Sequence, residues 1–315
     1  MAADQHHNTE RIPLKSHKPL SRTTLHGWPA MVFGAVFLIM GCPILAIGLG
    51  WLDYPQSFIH APLWVISVFG GFFAACGVWL MGHGAQGLHR LWNMANGQQQ
   101  LPDSSWLWDY PWQAQGITDN KLKESLGSIA ALVVFGVFLA PFNWIAFVSD
   151  SGGIFWQILT GLFDVIILLG VGDYLLKNFA QFWTFGNGRV SFQDFPFFLG
   201  QTMNLTIEQL PPDITTVHLN LRCIEESYEI RKREGGRKWE LVVVCYQIYH
   251  DTQTIRGELV NETGQLRCTW NLPDDKHLTS TPCERPAKFW ELEIQGERSG
   301  VDYHSHFLLP IYSKN

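Results

Sequence analysis

Apolar residues run without a charge over residues 28–52, 61–81 and 126–148, and again over 153–176 except for Asp164 and Asp173. Each run exceeds the roughly 20 residues that carry a helix across about 30 Å of hydrocarbon. Four transmembrane helices are predicted. Pro43 and Pro141 fall inside runs, where a membrane helix kinks without breaking. Trp28, Trp51, Trp64 and Trp79 stand near run ends, as interfacial aromatics do.

The period changes further on. Residues 179–188 read as an aromatic collar stopped by Gly186-Asn187-Gly188. Over 216–224, Val217, Leu219, Leu221 and Cys223 alternate with His218, Asn220 and Arg222. Glu234-Gly235-Gly236-Arg237 predicts a hairpin turn, and 239–248, apolar on both faces, a central strand. Residues 265–272 and 287–295 alternate again, with Trp290, Leu292 and Ile294 inward and Glu291 and Glu293 outward. Seven or eight short strands between turn signals predict an all-β sandwich. The expected division is a polar tail over 1–27, a four-helix region over 28–188 with an insertion at 83–125, and a sandwich over 189–315.

Composition agrees: 47% of residues are hydrophobic and 16% charged, with 14 Trp and 21 Phe, against about 25% charged in soluble domains. A net charge of −6 without a basic tract gives no nucleic-acid footprint. Cations lie in the tail (Arg11, Lys15, Lys18, Arg22), in the second loop (Arg90, Lys121, Lys123) and after the last run (Lys177, Arg189). The positive-inside rule then puts both termini in the cytoplasm of a multi-pass protein, with membrane lipid as its surroundings. Cys223, Cys245, Cys268 and Cys283 are expected as reduced thiols. The tail shows no cleavage site for a signal peptide and reads as disordered.

The insertion carries Trp92, Trp106, Trp108 and Trp112 among Pro and Asp, too apolar for a free loop. It reads either as a segment at the lipid headgroups or as a docking surface for the C-terminal part or a partner. Asp164 falls near mid-span, where an Asp costs roughly 2.5–3.5 kcal/mol and faces a bundle interior or a water path. Asp173 follows nine residues later, about 900° around an ideal helix and so on the opposite face. The two acids do not make one site; Thr160, Ser128 and Asn143 are candidate partners for them. His304 and His306 share a strand face, but no third ligand is fixed by spacing, so no metal or cofactor is expected. The basic run Arg231-Lys232-Arg233 belongs to a solvated turn or touches anionic headgroups. No phosphate-binding glycine loop, nucleophile elbow or HExxH is present, and no catalytic residue is proposed.

Several motifs carry a resemblance. Trp290-Glu291-Leu292-Glu293-Ile294, Gly300-Val301-Asp302-Tyr303 and Phe307-Leu308-Leu309-Pro310-Ile311 follow one another in the last strands. The segment from Trp106-Leu107-Trp108-Asp109 to Trp112-Gln113-Ala114-Gln115-Gly116-Ile117 precedes the third run. Together they resemble a family of uncharacterised bacterial multi-pass membrane proteins. In that family a Trp-rich motif lies between transmembrane pairs, and an arrestin-like sandwich ends in W-x-L-x-V, G-x-D-Y and F-x-V/I-P-V. The likeness covers residues 85–312, with conservative apolar departures at Leu308 to Ile311. It implies a bacterial inner-membrane protein with a cytoplasmic interaction domain and brings no activity with it.

The expected function is a non-catalytic scaffold or accessory subunit, packed against other integral membrane subunits of a larger complex, respiratory or photosynthetic for example. A transport module using Asp164 and a membrane-tethered enzyme are the alternatives.

Overall fold

The computed structural model describes residues 11–14, 17, 19–20, 27–53, 61–119, 121–149, 153–211, 213–232, 239–260, 263–298 and 302–314. The Glu234-Gly235-Gly236-Arg237 turn, Arg233, Gly300, Val301 and the side chains of Asp173 and Ser128 lie outside them. The chain divides into two compact units, one helical (Thr24–Ala95 and Leu122–Ala180) and one β-rich (Asn96–Lys121, Gln181–Asn315 and the described residues of Met1–Thr23).

Strand β1 is Ile12–Pro13, and the four long helices are α1 (Trp28–Gly48), α2 (Leu63–Gln100), α3 (Lys121–Phe147) and α4 (Ile154–Phe185). Among the described residues, three helices are long and apolar enough to cross a membrane: α1, α2 and residues Ile129–Phe147 of α3. Four were expected, and three are found. In α4 the apolar stretch among the described residues is Ile154–Gly170.

Helices α1 and α2 approach so closely that their contact excludes side chains. Gly34, Gly41 and Gly48 recur every seven residues, as do Gly70, Gly77 and Gly84. A Cβ on Gly34 would lie 2.7 Å from the Gly77 carbonyl oxygen, and one on Gly41 2.5 Å from the Ala74 amide nitrogen. Seven residues make nearly two turns, so each series forms one stripe. Small residues let membrane helices gain backbone packing where no hydrophobic force drives them together.

The β-rich unit contains β2 (Gly116–Thr118), β3 (Arg189–Phe192), β4 (Phe197–Phe198), β5 (Thr202–Glu208), β6 (Thr216–Lys232), β7 (Trp239–Arg256), β8 (Leu266–Asn271), β9 (Lys288–Glu297), β10 (Tyr303–Leu309) and β11 (Ile311–Tyr312). One sheet runs β1-β7-β6-β9-β10, another β2-β3-β5-β8, and a parallel pair joins β11 to β4. Alternate residues of both larger sheets enter one buried cluster, with Val217, Leu219 and Leu221 of β6 and Trp290, Leu292 and Ile294 of β9 meeting Leu205 and Ile207 of β5 and Trp270 of β8. Burying each such side chain is worth about 1.5–3 kcal/mol. Cys223, Cys245 and Cys268 are buried free thiols, and Cys283 is partly buried and free. Burial pushes the Cys245 thiol up to about 11 and Cys268 to about 12.

Two expectations fail here. The tail segment around Ile12 is not loose: β1 pairs with Gln247 and Tyr246 of β7, and Leu14 and Leu20 pack on Ile224 and Phe289. Arg11 reaches Glu225 at 2.5 Å. Among the described residues, strand β7 has a strand on each side only at Tyr246 and Gln247, where β1 joins it. Its apolar start is exposed, because β6 and β7 run on together after their neighbours end.

Candidate functional site

Two features of the β-rich unit stand apart from its core. The first is the far end of the β6–β7 hairpin. The pair continues to Lys232↔Trp239, whereas β9 leaves β6 at Glu225↔Lys288 and β1 meets β7 only at Tyr246 and Gln247. Among the described residues, the arm beyond is a two-stranded ribbon. Tyr228 lies opposite Val243, Ile230 opposite Leu241 and Lys232 opposite Trp239, and alternation puts all six on one face. Ile230, Leu241 and Trp239 are 68%, 66% and 67% exposed. On the other face, Tyr246 Oη donates to Glu229, which also accepts from Arg231 Nε at 2.9 Å. The arm is amphipathic, with its apolar side uncovered.

The second feature is a charged cluster on the outer face of the five-stranded sheet. Register builds it: Arg222 of β6 stands opposite Glu291 of β9, Asn220 opposite Glu293, and Glu293 opposite His306 of β10. Arg222 binds Glu291 at 2.6 Å and Glu293 at 3.1 Å. His306 Nδ1 lies 2.9 Å from Glu291, His304 Nε2 2.9 Å from Glu293, and His17 Nε2 2.8 Å from Glu291. Arg222 and Glu291 are buried. Burial alone would raise the Glu291 carboxyl, but hydrogen bonds from His17 and His306 and the charge of Arg222 outweigh it and hold the group well below the carboxylate range. The His304 hydrogen bond, followed by the Arg222 charge, holds Glu293 at about 2. Burial would lower the His306 imidazole, yet its bond to Glu291 leaves it raised.

The aromatic residues of the insertion divide. Trp106 packs edge-on against Phe198 with centroids 5.5 Å apart, and Trp112 donates to Tyr312 Oη at 2.7 Å. Tyr312 in turn donates to Asp109, which is buried. Burial lifts the Asp109 carboxyl to about 6 against the bonds from Tyr312 and Trp112. Trp108 bonds the Leu101 carbonyl and fills the space above Gly97. Trp92 is exposed on α2. In the helical unit, Asn143 Nδ2 of α3 donates to Asp164 Oδ1 of α4 at 3.3 Å, while Thr160 bonds carbonyls of its own helix. Asp164 thus has an interhelical partner. Alternation had put Glu291 and Glu293 outward and His304 and His306 on one shared face of their strand, but only the β9–β10 register joins them.

No protein-family model and no curated protein matches the chain. Among solved structures it is similar to the sporulation control protein Spo0M of Bacillus subtilis, at 12% identity and TM-score 0.25 over 40% of this chain and 49% of that one. It is also similar to a Bacillus anthracis protein described as a lipoprotein, at 17% identity and TM-score 0.19 over 38% and 70% of the two chains. The chain spans about half the length of Spo0M.

Proposed function

We propose that the protein is a non-catalytic membrane scaffold, an accessory subunit of a larger membrane complex in a bacterial inner membrane. In this reading α4 is a fourth span, its Asp164 accommodated by Asn143, and both termini face the cytoplasm. The β-rich unit is an arrestin- or immunoglobulin-like sandwich that covers the cytoplasmic face of the complex. Trp92, exposed on α2, joins the lipid or subunit contacts.

The observation that carries this reading is the uncovered apolar face of the β6–β7 arm. An isolated two-stranded ribbon is marginal in water, and a long apolar strand face left open is an aggregation hazard. Tyr228, Ile230, Leu241 and Trp239 on one side of such a ribbon call for a partner surface. The Asn143–Asp164 bond favours a structural role for Asp164 over a transport role.

The test places a photo-crosslinking residue at Leu241 of the full chain in native membranes. One stoichiometric integral membrane partner is expected, and Leu241→Lys is expected to lose it without a change in thermal stability. A clean monomer in native detergent, or crosslinks to lipid alone, sinks the reading.

A further inference from the structure

We propose that Glu293, His304 and His306 form a binding site for a divalent transition metal of the zinc class on the outer face of the β-rich unit. One donor atom from each lies within 4.8 Å of the other two. The three come from adjacent strands: His306 stands directly opposite Glu293, and His304 two residues before it on the same face. Backbone pairing therefore sets their spacing before any ion arrives. Two imidazoles and one carboxylate match the three-ligand zinc pattern, which leaves a fourth position open.

The surroundings suit an ion better than they suit an empty cluster. Glu291 accepts from His306 Nδ1, the kind of outer-shell carboxylate that fixes a ligating imidazole. Arg222 Nη1 holds Glu293 Oε2 at 3.1 Å, and Gln295 Nε2 donates to Oε1 at 2.9 Å. The remaining lone pair of Oε1 points toward His304 Nε2. His17 is bonded to the far oxygen of Glu291 and steadies the outer shell without reaching the ligand set. Access is open: the His304 and His306 side chains are 40% and 42% exposed, and a groove of about 320 Å³ lined by His218, Asn220 and Thr252 adjoins Glu293.

The test uses the full chain in detergent, stripped with a chelator and titrated with Zn²⁺ by calorimetry and with Co²⁺ by visible absorption. One saturable Zn²⁺ per chain is expected, with the intense d–d bands of a low-coordinate Co²⁺ site. His304→Ala with His306→Ala is expected to weaken binding about 100-fold or more. Glu291→Gln, in the outer shell, is expected to weaken it about 10-fold. His304→Cys is expected to retain the ion and add a thiolate-to-Co²⁺ charge-transfer band. The imidazoles are partly exposed, so metal-free variants are expected to melt as the wild type does. Absence of saturable binding in the wild type overturns the site, as does unchanged affinity in the double-histidine variant, since other histidines of the chain would then hold the ion.

Discussion

Acidification is expected to stabilise the β-rich unit through Asp109. This carboxyl is buried beneath Trp112 and Tyr312, and its folded value of about 6 lies above its ordinary 3.8. The folded state therefore binds the proton more tightly than the unfolded chain between those two values. Stability falls as pH rises from about 4 to about 6 and is level beyond, opposite in sign to a salt-bridged carboxylate. The full gap corresponds to roughly 3 kcal/mol, of which about 1.3 kcal/mol separates pH 5 from pH 7. The perturbation is Asp109→Asn, which keeps the acceptor for Tyr312 and removes the titration. The assay is native-state hydrogen exchange of the full chain in detergent at pH 5 and 7, corrected for intrinsic exchange, on peptides from β2, β4 and β11. Other groups titrate in this window, so the informative quantity is the wild-type slope minus the variant slope. Equal slopes would refute the assignment, and so would a wild type that opens more easily at pH 5.

Three further outcomes follow from named contacts. Gly41→Leu drives a side chain into the backbone at Ala74 and Phe73, and is expected to cost about 1–3 kcal/mol, seen as a lower melting temperature of the helical unit. Arg222→Met strands Glu291 and Glu293 without their shared cation. About 3–5 kcal/mol is expected to be lost in thermal melts, with partial recovery when Glu291→Met is added. Asp164→Asn keeps a hydrogen-bonding partner for Asn143 and is expected to cost under about 1 kcal/mol with assembly intact; loss of an ion flux in reconstituted vesicles would instead revive the transport reading.

Much of this was legible because hydrophobic periodicity reports burial directly. The residues assigned inward on β6 and β9 are the ones that reach the core. Where the same signal misled, a neighbour was missing. The opening of β7 is apolar on both faces like a central strand, yet among the described residues it has only β6 beside it. The glycine stripes were present at seven-residue spacing, but a reading by apolarity does not register a residue whose contribution is the absence of a side chain.

The sequence by itself determined the long apolar helices, the change of period after α4, the outward face of β9 and the shared face of His304 and His306, because each depends on residues close together in the chain. Only the tertiary structure decided that Arg11, Leu14 and His17 are tied to the sheet, that Asp109 lies under Tyr312, and that Glu293 stands opposite His306. Those pairings join residues far apart in sequence, or depend on strand register, and a shift of one residue would have turned the same side chains to the other face.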